Sequence, residues 1–426
     1  MVYLTGQMTV AAMVFSVTYA GLALRNRNWL RIPLWLVFLV GGALMMATGL
    51  VSPQEAQGAI DLRVITFLFS MFVITAGLQL SGDLQRFSQR ITKGARSPRQ
   101  LILMVAFGFG LASSLLMNDT VALMATPLLI GVARSLGVRA KPLLLTLAFA
   151  ISIGSAMTPI GNPQNMVIAL QGGVPSPFLT FVYFLLPSTL INLLLLGLFV
   201  DFAFGRSLKF RTSRVSVEEP KVDWRLSLSS RVALAMAVGG MVLQNMLSIY
   251  GVYSPFGISE IAFFSAVFLL TVSPRRREIM GRVNWGLIVM FAGLFVFSKG
   301  IYNSGLVGAF GSLSQPASGL SSLGFIVVSS VALSQVISNV PLVTMLVPLY
   351  ASVIPKGSSV GWAALAGAST LAGNVSLVGA ASNLIIVEEA EKEGESIGFF
   401  EFLRYGLPLS AVNLSVLLGT LLPYVL

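Results

Sequence analysis

Two stretches repeat one polar pattern inside a very apolar chain: 113–127 reads SSLLMNDTVALMATP, and 334–348 reads SQVISNVPLVTMLVP. In each, an asparagine follows a serine by five residues and precedes a proline by nine. Asn118 and Asn339 are those asparagines, and a glycine–asparagine segment follows each of them, ending at Asn165 and Asn383. The separations are 47 and 44 residues. Duplicated helix-breaking segments of this kind are typical of secondary transporters built from inverted repeats.

The composition indicates a polytopic helical membrane protein. Hydrophobic residues make up 55% of the chain, charged residues 10%, and the mean hydropathy is +0.86. The chain has no cysteine and no histidine, which excludes disulfides, thiolate metal sites and the usual proton shuttle. No P-loop or catalytic motif is present, so we do not expect an enzyme. We expect no cofactor beyond Na⁺ as a coupling ion.

The positive charges predict the orientation. We predict membrane spans at about 8–24, 32–51, 62–80, 142–171, 177–204, 232–250, 256–273, 284–302, 359–391 and 406–426. With the N-terminus outside, every lysine and arginine except Arg63, Lys299 and Lys356 falls on the inner side. The net charge of +11 therefore follows the positive-inside rule and does not indicate nucleic-acid binding. We expect basic cytoplasmic loops and a location in a prokaryotic inner membrane.

The two asparagine segments are predicted to be re-entrant hairpins that enter from opposite sides. The segment at about 100–133 has basic loops at both ends, whereas the loops around 319–352 carry almost no positive charge. The predicted organisation is an N-terminal repeat, a cytoplasmic linker and a C-terminal inverted repeat with ten spans in total. The N-terminal repeat is 1–205, with a broken helix at about 142–171, and the linker is 206–230. The C-terminal repeat is 231–426, with a broken helix at about 359–391.

Broken backbone at membrane depth survives only where it lines a cavity or holds a ligand. Freed carbonyls suit Na⁺, and freed amides and helix N-termini suit anions. The hairpin tips and the breaks are therefore expected to form one substrate site near the midplane. Its polar candidates are Asn118, Asp119, Thr120, Ser338 and Asn339 at the tips, and Thr158, Asn162, Gln164, Asn165, Asn374, Ser376, Ser382 and Asn383 at the breaks.

The tips MNDTVALMATP and SNVPLV and the breaks SAMTPIGNPQN and LAGNVSLVGAASNLI resemble the ion transporter superfamily. That group includes arsenite-permease-like carriers, divalent anion/sodium symporters and citrate transporters, and the resemblance spans roughly 60–425. It implies an elevator-type carrier that forms a homodimer in the lipid bilayer. It also implies substrate contacts at Asn162 and Ala380. Candidate Na⁺ ligands are implied at Ser113, Asn118, Gly161, Ser334, Asn339 and Gly379.

The residues leave several functions open. The leading hypothesis is secondary transport of a small anion or oxyacid, coupled to Na⁺ or H⁺. An alternative is a Na⁺/H⁺ antiporter that uses Asp119, the one acid predicted deep in the membrane, where a charge is costly and usually functional. A third is an uncoupled channel-like protein. The substrate, the coupling ion, the direction of transport and association with an ATPase subunit stay open.

Overall fold

The computed structural model describes residues 6–24, 33–205, 222–306, 320–335, 339–351, 354 and 358–425. Within these residues the regular elements are α-helices and two short 3₁₀ helices, at Leu377–Gly379 and Leu422–Tyr424. The prediction of an all-α protein is therefore confirmed. Most of the predicted linker, 206–221, lies outside the described residues, as do Ser338 and Lys356.

Many of the helices are apolar and long. In chain order they are α1 (Gly6–Leu24), α2 (Leu34–Ala47), α3 (Pro53–Ala59), α4 (Leu62–Leu80), α5 (Asp83–Lys93), α6 (Pro98–Leu116), α7 (Asn118–Leu136), α8 (Lys141–Ser155), α9 (Pro163–Gln171), α10 (Pro177–Phe204), α11 (Trp224–Ile249), α12 (Ile258–Val272), α13 (Arg276–Arg282), α14 (Trp285–Asn303), α15 (Leu320–Ser334), α16 (Asn339–Ala351), α17 (Ser359–Ala372), α18 (Ala381–Lys392) and α19 (Phe399–Leu421).

Seven helices of the described part are long and apolar enough to cross a membrane, which makes the chain an integral membrane protein. They are α4, α6, α7, α10, α11, α14 and α19. Shorter apolar helices, such as α2, α8, α12 and α17, pack among them. The number of spans and the side on which each loop lies stay predictions.

The predicted hairpin at about 100–133 consists of α6 and α7, joined at Met117. Met117 has φ 61° and ψ 131°, a conformation that a residue with a Cβ rarely adopts. Its side chain is only 1% exposed, so surrounding packing holds this turn in place. Ser97 begins α6 by accepting a hydrogen bond from the Gln100 backbone N–H. Each arm has 19 residues, about 28 Å of helix. This length is close to the thickness of the hydrocarbon core, about 30 Å, and the midplane position of the tip stays a prediction.

The two predicted broken helices contain their interruptions in the expected places. The first stops at Ser155 and resumes at Pro163, and Asn162 caps the second segment by accepting from the Asn165 N–H at 2.9 Å. Proline suits the first helical position because its missing N–H would have no partner there. The second stops at Ala372 and resumes at Ala381, with a short 3₁₀ turn between.

The helix packing has the same pattern in both halves. In the first half α6 packs along α8, and in the second α15 packs along α17. Each second hairpin arm crosses to the other half, so that α7 packs on α18 and α16 packs on α9. Outside this group, α2 packs on α14 and α12 packs on α4. The crossing arms bring both tips and both breaks close together.

Helices α10 and α19 add a further pair of equivalent positions. Pro187 precedes Asn192 by five residues in α10, and Pro408 precedes Asn413 by five in α19. The two helices cross at these asparagines, where Asn192 Nδ2 donates to the backbone oxygen of Asn413 at 3.2 Å. This correspondence is in the sequence, but it stands out only once the two helices are seen in contact.

Candidate substrate site

The first hairpin tip is docked on the first helix break by its backbone. The Asn118 N–H donates to the carbonyl oxygen of Gly161 at 2.9 Å, and the Asp119 N–H donates to Asn118 Oδ1 at 2.9 Å. Thr158 Oγ1 donates to the Ser114 carbonyl and accepts from the Gly161 N–H at 3.1 Å. Tip and break therefore satisfy each other's freed polar groups, as backbone buried away from water requires.

The Asn165 side chain binds the free backbone carbonyls of the first break. Its Nδ2 lies within hydrogen-bonding distance of the carbonyl oxygens of Ser155, Ala156 and Thr158, at 3.2, 2.9 and 3.1 Å. These carbonyls belong to the last helical residue and the residues just beyond it, where the helical partners end. The Asn165 side chain is completely buried. Its amide donor is thus occupied by the backbone of the break.

Asn383 performs the same function in the second break. Its Nδ2 donates to the carbonyl oxygens of Gly373 at 2.8 Å and Ser376 at 3.4 Å. Gly373 precedes Asn383 by ten residues, as Ser155 precedes Asn165. Ser376 Oγ donates to the Gln335 side chain at 3.2 Å. This hydrogen bond is equivalent to the one that Thr158 Oγ1 donates to the Ser114 carbonyl in the first half. The repeated sequence pattern is therefore a repeated hydrogen-bond pattern.

The two halves are joined directly at this level. Asn118 Nδ2 donates to Ser382 Oγ at 3.4 Å, which connects the first tip with the second break. Thr370 lies between the asparagines of the first break: its Oγ1 accepts from Asn162 Nδ2 at 3.2 Å and donates to Asn165 Oδ1 at 3.2 Å. All these groups are buried, so the joint is a polar network shielded from lipid.

A cavity of about 30 Å³ lies where tips and breaks meet. Both tips, both breaks and two further helices line it. Its walls are Asn118, Asp119, Pro163, Gln164, Asn339, Val340, Pro341, Ala380 and Ala381, with Phe38 from α2 and Leu287 and Met290 from α14. Asp119 is the one acid among these lining residues, and no lysine or arginine is among them. The cavity is thus small, largely uncharged and closed on one side by apolar side chains.

The expected site residues divide into three groups. Asn118, Asp119, Asn339 and Ala380 line the cavity. Asn162, Asn165 and Asn383 are buried behind it and hold the breaks. Thr120 follows the tip and is half-buried but does not line the cavity, and Ser338 lies outside the described residues. Gln164, a polar candidate from the first break, also lines the cavity, and so do Phe38, Leu287 and Met290, which the sequence did not predict.

The expected Na⁺ ligands also occupy different positions. Ser113 Oγ makes hydrogen bonds to the carbonyls of Gly110 at 2.7 Å and Ile151 at 2.8 Å, between α6 and α8. Ser334 Oγ donates to Val331 at 3.0 Å and accepts from Gln335. Gly161 and Gly379 provide room at the breaks: a Cβ on Gly161 would lie 2.2 Å from the Ser155 oxygen, and one on Gly379 2.9 Å from the Gly373 oxygen.

Among the asparagines of the tips and breaks, the buried amide oxygens without a partner belong to the second half. Asn339 Oδ1, Asn374 Oδ1 and Asn383 Oδ1 are buried and have no hydrogen-bond partner among the described residues. In the first half, by contrast, Asn118 Oδ1 and Asn165 Oδ1 both accept hydrogen bonds. All three asparagines lie close to Gly373. Asn374 follows it in the sequence, and Asn383 Nδ2 donates to its carbonyl oxygen. A Cβ on Gly373 would lie 2.9 Å from Asn339 Nδ2. Oxygen ligands of this kind are those that hard cations prefer.

Comparison with known proteins identifies relatives along nearly the whole chain. The family described as citrate transporter matches residues 19–372. The chain is 29% identical to the silicon efflux transporter LSI3 of Oryza sativa subsp. japonica, over 88% of this chain and 89% of that protein. It is 26% identical to the 46 kDa membrane protein of Mycobacterium leprae, over 96% of both chains.

A solved structure has a similar fold. The YdaH transporter of Alcanivorax borkumensis superposes with a TM-score of 0.58 at 17% sequence identity. The match covers 89% of this chain and 87% of that one. At this identity the similarity concerns the fold alone.

Proposed function

Because this chain belongs to the citrate transporter family, we propose that it is a secondary active carrier of a small anion or oxyacid, driven by Na⁺ or H⁺. That it is a membrane transporter of the ion transporter superfamily follows from the family match and the apolar helices. The observation that carries the finer proposal is the cavity at which both tips and both breaks meet. Broken backbone around a small polar cavity is the arrangement in which carriers bind their cargo.

The chemistry of the walls favours a small substrate of low charge. Asn118, Gln164 and Asn339 offer amide groups, and the described lining includes no basic side chain to balance a multiply charged anion. A neutral oxyacid, or an anion that travels with a cation, suits such a site better than a free polyanion. The rice relative named as a silicon efflux transporter supports the oxyacid within this class.

For the coupling ion we propose Na⁺ in the second half of the site. The unpaired oxygens of Asn339, Asn374 and Asn383 support this assignment, because amide oxygens are Na⁺ ligands and a buried oxygen without a partner is costly. A bound cation would also add positive charge beside an anionic substrate. The proposed sites at Ser113 and Gly161 have weaker support, since the Ser113 hydroxyl is already engaged with two carbonyls.

We further propose an elevator cycle for a homodimer. The hairpins and broken helices, α6–α9 and α15–α18, would move together as one unit against α2 and α14. The contact at the cavity supports this division, because Phe38, Leu287 and Met290 present an apolar wall that makes no polar bond with the tips. A smooth apolar wall allows sliding without the breakage of hydrogen bonds.

Flux into proteoliposomes tests the proposal. Silicate, arsenite, citrate and phosphate would be supplied separately under a Na⁺ gradient and under a pH gradient. We expect saturable, Na⁺-driven uptake of one oxyacid, reduced at least about tenfold in Asn118→Ala and Asn339→Ala, the effect of about 1.4 kcal/mol of lost binding. The matched control is Asn303→Ala, which removes an amide at the distant end of α14. Uptake that is unchanged in both site variants would overturn the assignment of the site.

The antiporter alternative rests on Asp119, the acid among the lining residues. It predicts pH-driven Na⁺ exchange that needs no oxyacid and disappears in Asp119→Asn. The carrier proposed here instead predicts no Na⁺/H⁺ exchange in the absence of substrate. Measurement of internal pH in the same proteoliposomes distinguishes the two.

A further inference from the structure

A second cavity, of about 310 Å³, lies between α4, α5, α6 and α11 and shares no lining residue with the central cavity. Its charged lining residues come from α5 and α11 and are Asp83, Arg86, Arg90 and Arg231. Its apolar lining residues come from all four helices and are Leu78, Leu84, Phe87, Ala112, Leu115, Leu116 and Leu234. Helix α6 contributes only apolar residues, so we call the part of the cavity along α6 its apolar end and the part at the arginines its polar end.

The charges in this cavity do not balance. Asp83 is buried, and Arg231 binds it through two nitrogens, with Arg231 Nε 3.0 Å from Asp83 Oδ2. Ser227 Oγ donates to the same carboxylate at 3.0 Å. Asp83 and Arg231 thus neutralise each other. Within the described part of the chain, neither Arg86 nor Arg90 forms an ion pair with an acid. Two positive charges remain at the polar end.

Arg86 is also held in position, and Arg90 lies on the same face of its helix. They are four residues apart on α5 and therefore share one face of that helix. The Arg86 guanidinium lies 5.1 Å from the centre of the Trp224 ring, a cation–π contact that restrains it. Phe87, on the same helix, lines the cavity and is 39% exposed. Helix α5 directly follows the span-length α4, so we expect these side chains at the depth of lipid headgroups.

We infer that this cavity binds an anionic phospholipid, with the headgroup phosphate on Arg86 and Arg90 and the start of an acyl chain between α6 and α11. A soluble phosphate would satisfy only the arginines and would leave the leucine-lined end without a ligand. A lipid matches both ends of the cavity. Basic pockets between membrane helices are known to favour anionic headgroups. The positive-inside count predicts this end of α4 to be cytoplasmic, and anionic lipid is abundant in that leaflet.

The inference is tested on the full chain purified in a neutral detergent. Phosphatidylglycerol, phosphatidylcholine and inorganic phosphate are titrated separately, and binding is followed by the unfolding temperature and by native mass spectrometry. We expect one saturable phosphatidylglycerol site and no comparable effect of the other two. The double variant Arg86→Gln/Arg90→Gln should bind phosphatidylglycerol roughly 30-fold more weakly, about fivefold for each charge removed.

The control is Arg404→Gln, which removes an arginine that also lies over an aromatic ring, Tyr405, but outside this cavity. It should bind phosphatidylglycerol as the unmodified protein does. Equal binding in the double variant would overturn the inference, and phosphate that displaces phosphatidylglycerol completely would reassign the cavity to a soluble anion. Should the double variant not fold, Ala112→Leu provides a second test, because it narrows the apolar end and leaves the arginines. Unchanged phosphatidylglycerol binding in that variant would equally contradict a lipid site.

Discussion

At the scale of single residues, the asparagines of this site perform two different tasks. Asn165 and Asn383 donate to the carbonyls that the breaks set free, so their donors are already engaged. Asn118 and Asn339 stand at the tips and line the cavity. We therefore interpret the first pair as positioning residues and the second pair as substrate contacts.

Replacement of Asn165 should separate these tasks. In Asn165→Ala the carbonyls of Ser155, Ala156 and Thr158 lose a buried donor, and we expect a loss of about 3 kcal/mol of stability together with transport. Gln164→Ala changes the neighbouring residue, which lines the cavity. It should reduce transport and leave the unfolding temperature nearly unchanged. Thermal unfolding and flux, measured on both variants, check this; equal destabilisation by both would contradict the division of tasks.

The glycine at the first break should tolerate no side chain. A Cβ at Gly161 would lie 2.2 Å from the Ser155 carbonyl oxygen, which is backbone and cannot turn aside. We expect Gly161→Ala to lose at least about 2 kcal/mol and most of its transport. Gly131→Ala is the matched control, since nothing lies within 4 Å of its added Cβ and alanine favours the helix by about 1 kcal/mol. Equal unfolding temperatures of the two variants would contradict the close approach of Gly161 to the Ser155 carbonyl oxygen.

Part of the site could be predicted from sequence, for a physical reason. Asn118, Asp119 and Asn339 are polar residues in apolar surroundings, and the duplicated spacing marks them. Phe38 and Met290 could not be found in this way, because they are apolar residues of uniformly apolar helices. The role of Asn165 was also hidden, since one amide side chain serves a carbonyl or a ligand equally well and only the fold decides between them.

At the scale of elements, the short helix α5 is attached to α11 by an ion pair whose carboxylate is buried and whose arginine is half exposed. Asp83 at the first turn of α5 accepts from Arg231 and Ser227 of α11. The Asp83 N–H is in turn bonded to Ser81 Oγ at 3.3 Å. This joint fixes the angle at which α5 leaves the end of α4, and with it the arginines of the second cavity.

The Asp83–Arg231 ion pair should make the free energy of unfolding of the protein depend on pH. Burial raises the pKa of the Asp83 carboxyl, but hydrogen bonds from Arg231 and Ser227 and the arginine charge outweigh it, so the pKa lies below its ordinary value. Such a group adds stability above its unfolded-state pKa and loses it as pH falls through the folded pKa.

Asp83→Asn should therefore cost about 2 kcal/mol at neutral pH, and the difference from the unmodified protein should shrink below about pH 4. Unfolding measured from neutral pH down to about pH 3 checks this. The control is Glu278→Gln, at the exposed ion pair with Arg275, where we expect little change. A difference that stays constant through the acid range would exclude the carboxylate as its source.

At the scale of the whole molecule, the halves are interlocked. The second hairpin arm of each half packs against the broken helix of the other half. The hydrogen bonds Asn118–Ser382 and Asn162–Thr370 also join the two halves. The sequence predicted two equivalent halves because tip and break recur with nearly constant spacing. It could not predict that each second arm packs against the other half, which depends on contacts between segments more than about 160 residues apart.

The absence of cysteine makes the cycle measurable with a single introduced thiol. Ala381→Cys places it on the cavity wall at the second break. We expect a membrane-impermeant thiol reagent to modify it slowly, and Na⁺ with substrate to slow the reaction further by filling the cavity. Ser254→Cys, in an exposed loop, should react at a rate that neither ligand changes. A rate at position 381 that is also insensitive to both would argue against a ligand site there.

The scarcity of charge around the central cavity has an electrical consequence. If the unit of hairpins and broken helices crosses the bilayer as proposed, Asp119 is the one lining residue that takes a formal charge through the transmembrane field. A unit charge moved through 100 mV is worth about 2.3 kcal/mol. The voltage dependence of the loaded half-cycle is then set by the summed charge of substrate, Na⁺ and Asp119, and that of the empty half-cycle by Asp119 alone. In Asp119→Asn, the return of the empty carrier should become independent of voltage.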